Sequence, residues 1–139
     1  PPIVSEKITL LSESIVSCVP GFVQDAANEA LLLPQNETNL MYGKFRDRQL
    51  KLINEFQKVE GIECLVPEGA MYVFPSIKGI TNDSEKFALH LLETSGIACV
   101  PGIYFGQSGE GYLRFSCAGS DENIIGLAES INYSIDSFN

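Results

Sequence analysis

The chain has 139 residues, which is enough for one domain with a proper hydrophobic core and too few for two complete domains. Nine basic against eighteen acidic side chains give a formal net charge of -9, a balance that repels polyphosphates and anionic membrane surfaces. We therefore expect no nucleic-acid partner. We expect no membrane partner either, because every apolar run is far shorter than the ~20 residues of a membrane helix.

The sequence contains four cysteines and no Cys-x-x-Cys pair. Most of them lie in apolar, strand-like runs, where a free thiol packs as a small hydrophobe. Reduced cysteines predict a cytoplasmic protein. The alternative is a secreted protein with two disulfides, although such frameworks belong mostly to shorter chains. The four residues are Cys18, Cys64, Cys99 and Cys117.

Helical spacing dominates the first part of the chain. Apolar residues recur at helical intervals across 22–31, and Pro34 ends the pattern. A longer helix is predicted from Thr38 or Asn39, with apolar residues along one side, charged residues along the other and Gly61 beyond its end.

Short β-prone runs then alternate with two further helices. Asn82 and Glu85 are spaced as a capping box at the start of one helix, which Gly96 ends, and Ser120 is the expected cap of the last helix. The pattern predicts a two-layer α+β sandwich, in which helices cover one face of a small sheet of about four strands. The predicted strands are residues 62–66, 70–74, 97–100 and 112–117.

Few residues are candidates for chemistry. His90 lies in the middle of a helix, no serine or cysteine occupies a nucleophile elbow, and no metal-ligand spacing appears. The glycine-rich stretch 102–111 leads into a strand and not into a helix N-terminus, which argues against a phosphate-binding loop. We therefore predict no metal site and no catalytic residue in this chain.

Arg114 is the exception, because it lies on the polar face of the predicted strand 112–117. Its planar guanidinium can bind a carboxylate through two parallel hydrogen bonds. A buried salt bridge and a solvent-facing arginine on an edge strand are the structural alternatives.

Two segments of the chain resemble the C-terminal blocks of class I/II aminotransferases. They are PEGAMYVFPSI at 67–77 and VPGIYFGQSGEGYLRFSCAGSDENIIGLAESI at 100–131. The segment VPGFVQDAANEAL at 19–31 is also similar to the family's stretch before its long interdomain helix. The pattern is most similar to bacterial and archaeal aspartate and aromatic aminotransferases, with alanine, kynurenine and N-succinyldiaminopimelate aminotransferases as alternatives.

The resemblance implies a homodimeric transaminase that uses pyridoxal 5'-phosphate to move an amino group between an amino acid and a 2-oxo acid. Arg114 matches the family's arginine for the substrate α-carboxylate. Met71 and Tyr72 are implied as contacts of the substrate side chain.

The family's cofactor lysine lies in a Ser-x-x-Lys block, and none of the six lysines has that context. The resemblance therefore implies a fragment that is inactive alone and has no cofactor-binding residue. We expect residues 1–33 to be the tail end of the large cofactor domain and residues 34–139 to be the small domain. The start at Pro1, without an initiator methionine, favours a piece of a longer protein. The alternative is a non-catalytic, aminotransferase-like binding or regulatory module.

Overall fold

The computed structural model describes residues 1–138. The chain divides into two compact units, one from Pro1 to Glu37 and one from Thr38 onward. Within the described residues, no helix is long and apolar enough to cross a bilayer. The α-helices are α1 (Pro2–Ile15), α2 (Gly21–Leu32), α3 (Asn36–Phe56), α4 (Ser84–Ser95) and α5 (Leu127–Asp136). The strands are β1 (Tyr72–Val73), β2 (Val100–Pro101) and β3 (Leu113–Ser116).

The first unit contains α1 and α2, and neither helix has a buried residue. α1 carries Pro2 in its first turn, where a missing N–H breaks no intrahelical hydrogen bond. α2 confirms the helix predicted over 22–31. Apolar side chains in this unit face solvent, and Leu31 is 81% exposed. Residues 1–37 therefore form no buried core of their own.

This lack of burial predicts uneven stability along the isolated chain. We expect residues 38–138 to unfold as one cooperative unit, while the amides of residues 1–33 exchange far faster because no apolar burial protects them. Hydrogen exchange followed by mass spectrometry measures both, with peptides from α4 as the protected reference. Protection of residues 1–33 equal to that of α4 would contradict this expectation.

The core of the second unit lies between the sheet and three helices. α3 buries Leu52, Ile53 and Phe56 at helical spacing, and α4 and α5 each bury a similar stripe. The ring of Phe56 packs against Phe115 of β3, with ring centroids 4.9 Å apart. All these side chains belong to one hydrophobic cluster, so the helices cover one face of the sheet. The predicted α+β class is therefore confirmed.

Hydroxyl groups join α4 to α5. Ser134 of α5 is fully buried, and its hydroxyl lies 2.7 Å from the hydroxyls of Thr94 and Ser95 on α4. His90 extends this polar seam, since its Nε2 lies 2.8 Å from the Ser134 carbonyl oxygen. His90 thus has a structural role, in agreement with its mid-helix position in the sequence.

The sheet is antiparallel, with strand order β1-β3-β2. It has three strands within residues 1–138, so the predicted count of about four is not confirmed. Segment 62–66 forms only an isolated bridge between Glu63 and Ser76. The ladder stops there because Pro67 has no N–H to donate and Ala70 turns the chain at a φ of 61°.

The N-cap of α4 also differs from the prediction. Asp83, not Asn82, accepts the hydrogen bond from the Lys86 N–H, at 2.9 Å. Asx side chains of either type cap helices equally well, so the sequence could not separate these neighbours. At the other end, Gly96 adopts the left-handed conformation with a φ of 66°, and this confirms the predicted end of the helix.

Candidate functional site

Arg114 lies on the sheet face opposite the helices. β3 alternates, with Leu113 and Phe115 buried in the core and Arg114 half-buried on the other face. The Arg114 guanidinium carbon lies 4.3 Å from the ring centroid of Tyr72 and 4.4 Å from that of Phe105. Both distances are within the range of cation–π attraction. The guanidinium is therefore held between two aromatic rings.

The hydrogen-bonding groups of Arg114 are not used by the described part of the chain. Among residues 1–138, its guanidinium has no hydrogen-bond acceptor and no carboxylate partner. The other two arginines differ, because Arg46 donates to the Pro67 carbonyl at 2.9 Å and Arg48 pairs with Asp121 at 2.8 Å. A salt bridge within residues 1–138 is thus excluded for Arg114, and its planar fork is available to an external carboxylate.

The aromatic rings around Arg114 continue along the sheet face. Phe105 meets Phe74 edge-on, with ring centroids 6.0 Å apart, and Phe74 stacks on Tyr112 at 5.4 Å. The ammonium of Lys78 lies 4.5 Å from the centroid of the Tyr112 ring. A cavity of about 770 Å³ borders Tyr72, Phe74 and Tyr112 on this face.

The two residues predicted beside Arg114 differ in their roles. The structure brings the Tyr72 ring onto the guanidinium. Met71 makes a main-chain contact with the segment that follows β3: its carbonyl accepts a hydrogen bond from the Cys117 N–H at 2.8 Å. Sequence reasoning missed Phe105. The only available signal was its place in the glycine-rich loop 102–111, whose path in space the sequence does not fix.

That loop is folded tightly against itself. The Gly102 N–H donates to the Tyr112 carbonyl at 2.8 Å. A Cβ atom on Gly102 would lie 2.0 Å from the Gly109 carbonyl oxygen, and a Cβ on Gly109 would lie 2.1 Å from the Gly102 oxygen. Only glycine allows two backbones to approach this closely. The packing fixes the loop that carries Phe105.

The lysines do not fit a Schiff-base site for pyridoxal 5'-phosphate, which needs a sheltered and readily deprotonated amine. All six are exposed. The hydrogen bond from Lys58 to Glu55 raises the pKa of that lysine, and Lys51 pairs with Asp121 at 3.2 Å. The contact with Glu55 therefore favours the charged ammonium form of Lys58. The lysines of the described residues therefore give no support for a covalent cofactor site.

Thiol and metal chemistry find no support within residues 1–138 either. The four cysteines are free thiols. Burial raises the pKa of Cys64 to about 11 and that of Cys99 to about 12, which keeps both protonated at neutral pH. The described residues contain no group of three or more potential metal ligands. Arg114 and its two rings are thus the strongest candidate site.

Comparison with known proteins identifies the family. Residues 3–131 match the sequence profile of Aminotransferase class I and II. An aspartate aminotransferase of Pyrococcus horikoshii is 36% identical over 127 residues, covering 90% of this chain and 32% of that protein. An alanine aminotransferase structure from Pyrococcus furiosus has a TM-score of 0.83 at 25% identity, covering 97% and 34%. An aromatic aminotransferase structure from Pyrococcus horikoshii has a TM-score of 0.79 at 27% identity, covering 99% and 36%.

This chain belongs to the aminotransferase class I and II family. It spans about a third of the length of the curated relatives it matches. These relatives and structures are named as aspartate, alanine and aromatic aminotransferases. The amino acids in these names differ, so membership of the family does not by itself select one substrate.

Proposed function

We propose that this chain is the C-terminal part of a pyridoxal-phosphate-dependent transaminase and supplies its binding site for the substrate α-carboxylate. Residues 1–33 are the tail end of the large cofactor domain, and residues 34–139 are the small domain. One observation carries the proposal. The Arg114 guanidinium is held between two rings, while its hydrogen-bond donors have no acceptor among residues 1–138.

The geometry suits carboxylate binding. The rings of Tyr72 and Phe105 restrict rotation of the guanidinium about its long stem, so less conformational entropy is lost when a substrate binds. Two N–H groups on the open edge of Arg114 donate to the two carboxylate oxygens in parallel. Gripping the carboxylate fixes the orientation of the substrate Cα–H bond before proton removal. The family resemblance implies Tyr72 and Met71 as contacts of the substrate side chain.

The remaining machinery comes from the rest of the longer protein. Because no lysine here fits a Schiff-base role, the cofactor is bound elsewhere and this chain alone is inactive. The longer protein is a homodimer that acts on an amino acid and a 2-oxo acid. The free cysteines support a cytoplasmic location.

Incubation with pyridoxal 5'-phosphate followed by borohydride tests whether the cofactor lysine lies outside this chain. The 139-residue chain should show only slow, scattered labelling, since all six of its lysines are exposed. The protein encoded by the complete reading frame should carry one label per chain and catalyse transamination. One stoichiometric label at a single lysine of the 139-residue chain would contradict the proposal. So would a complete protein without transaminase activity, which is the outcome that a regulatory module predicts.

A further inference from the structure

The carboxylate of Glu110 connects the loop 102–111 to the start of α4. Its Oε1 atom accepts the backbone N–H of Ser84, the first residue of α4, at 2.7 Å. The same oxygen accepts the N–H of Gly111 at 2.9 Å. One carboxylate oxygen thus joins the helix N-terminus, where free N–H groups favour a negative charge, to the end of the loop.

Two further hydrogen bonds tie the other half of the loop to the same helical turn. The Ile103 N–H donates to the buried Ser84 hydroxyl at 3.3 Å. The Tyr104 hydroxyl donates to the Glu85 carboxylate at 2.8 Å. The loop is therefore fastened to the first turn of α4 on both sides of its midpoint.

Phe105 follows Tyr104 directly in this loop and forms one of the two rings against Arg114. Its side chain is 49% exposed, so core packing does not hold it in place. Beyond the edge contact with Phe74, the position of its ring depends on the path of the loop. The hydrogen bonds that fasten the loop to α4 therefore help to hold Phe105 over the guanidinium.

We propose that Glu110 is a positioning residue for the Arg114 site. Its carboxylate holds the loop against α4, and the loop holds the Phe105 ring over the guanidinium. Glu110 does not touch the substrate. The effect on substrate binding rests on the function proposed above, whereas the positioning of Arg114 does not.

The Arg114 side chain provides a direct measurement in the ¹⁵N-labelled 139-residue chain. Ring currents from Tyr72 and Phe105 shift its Nε–H resonance. The variant Phe105→Ala gives the chemical shift expected when one ring is lost. We expect Glu110→Ala to move the resonance most of the way to that value. Glu110→Gln keeps an acceptor oxygen but loses the negative charge, so we expect a smaller shift in the same direction. Glu93→Ala removes a carboxylate of α4 that has no hydrogen bond or ion pair among residues 1–138, and should change nothing.

An acid titration separates positioning from a general loss of stability. The hydrogen bonds from the Ser84 and Gly111 N–H groups lower the pKa of Glu110 below its ordinary value of 4.5. The tether is therefore strongest above that ordinary value and weakens as the pH falls through the lowered pKa, because the protonated carboxyl is a poorer acceptor than the carboxylate. Charged groups on the neighbouring elements are Asp83, Glu85 and Lys86 at the start of α4, and Lys78, which packs against Gly111. Glu110→Gln leaves these groups in place. The pH-dependent change in the Arg114 resonance that comes from Glu110 should therefore disappear in this variant, while changes caused by the other groups remain.

Titration with acetate, the simplest carboxylate, measures the consequence for binding. Losing one cation–π contact should raise the acetate Kd by about two- to fivefold in Glu110→Ala.

If Glu110→Ala does not fold, Tyr104→Phe removes the second tether and should shift the Arg114 resonance in the same direction. An Arg114 resonance unmoved in both variants would overturn the inference. A shifted resonance in a chain that binds no acetate at Arg114 would support positioning and overturn the proposed function.

Discussion

We expect Arg114→Ala to lower kcat/KM for amino-acid substrates of the longer protein by about 30- to several-thousand-fold. This is the range expected when a bound carboxylate loses a charged partner worth about 2–5 kcal/mol. Arg114→Lys should be impaired less, because it keeps the charge and loses the planar fork that binds both oxygens. Steady-state kinetics with an amino acid and its 2-oxo acid partner give these ratios.

Two controls show whether the loss comes from the carboxylate. Amines without an α-carboxylate should react almost equally well with wild type and Arg114→Ala, and cofactor binding should scarcely change. Arg48→Ala removes an arginine that pairs with Asp121 away from the site, so it should leave kcat/KM near wild type. If Arg114→Ala keeps kcat/KM within a few-fold of wild type, Arg114 does not bind the substrate carboxylate.

Gly102→Ala should destabilise the second unit by at least the upper end of the roughly 1–3 kcal/mol that overpacking costs. The new methyl group would lie 2.0 Å from the Gly109 carbonyl oxygen, and that neighbour is backbone that cannot rotate away. Chemical denaturation followed by near-ultraviolet circular dichroism reports on this unit, because all five tyrosines lie beyond Thr38.

Gly43→Ala is the matched control for this substitution. A Cβ atom on Gly43 meets no atom within 4 Å, and Gly43 lies inside α3. Alanine there should leave stability unchanged or raise it by up to about 1 kcal/mol through helix propensity. Equal denaturation midpoints for wild type and Gly102→Ala would show that the loop relaxes around the methyl group and would contradict the steric argument.

Helices α2, α3 and α4 were predictable because their signals are local. Helical spacing of apolar residues located α2, α3 and α4, and Gly96 marked the end of α4. α5 was predicted from Ser120, but the chain first forms a 3-10 turn at Asp121–Asn123 and enters α5 only at Leu127. Gly126, with a φ of 76°, separates the two segments. The acidic residues after Ser120 suit either kind of helical start, so the sequence favoured one continuous helix.

The sheet and the site were less predictable because they depend on contacts between distant residues. Alternation correctly put Arg114 on the polar face of β3, and the family resemblance pointed to Tyr72. The failure of segment 62–66 to pair beyond one bridge depends on where Pro67 and Ala70 direct the chain. Phe105 reaches Arg114 only through the fold of its loop. No periodicity in the sequence predicts this contact between Phe105 and Arg114.

The hydroxyl seam between α4 and α5 restricts how these helices can move. Apolar side chains can slide past one another with little change in energy, but the contacts of Ser134 with Thr94 and Ser95 exist at one alignment only. A slip by one helical turn, about 5.4 Å, would break these contacts and leave the buried Ser134 hydroxyl with only the Ser130 carbonyl of its own helix. These hydrogen bonds therefore fix the register of α4 against α5. The first turn of α4, to which the loop 102–111 is hydrogen-bonded, is held in a fixed position as a result.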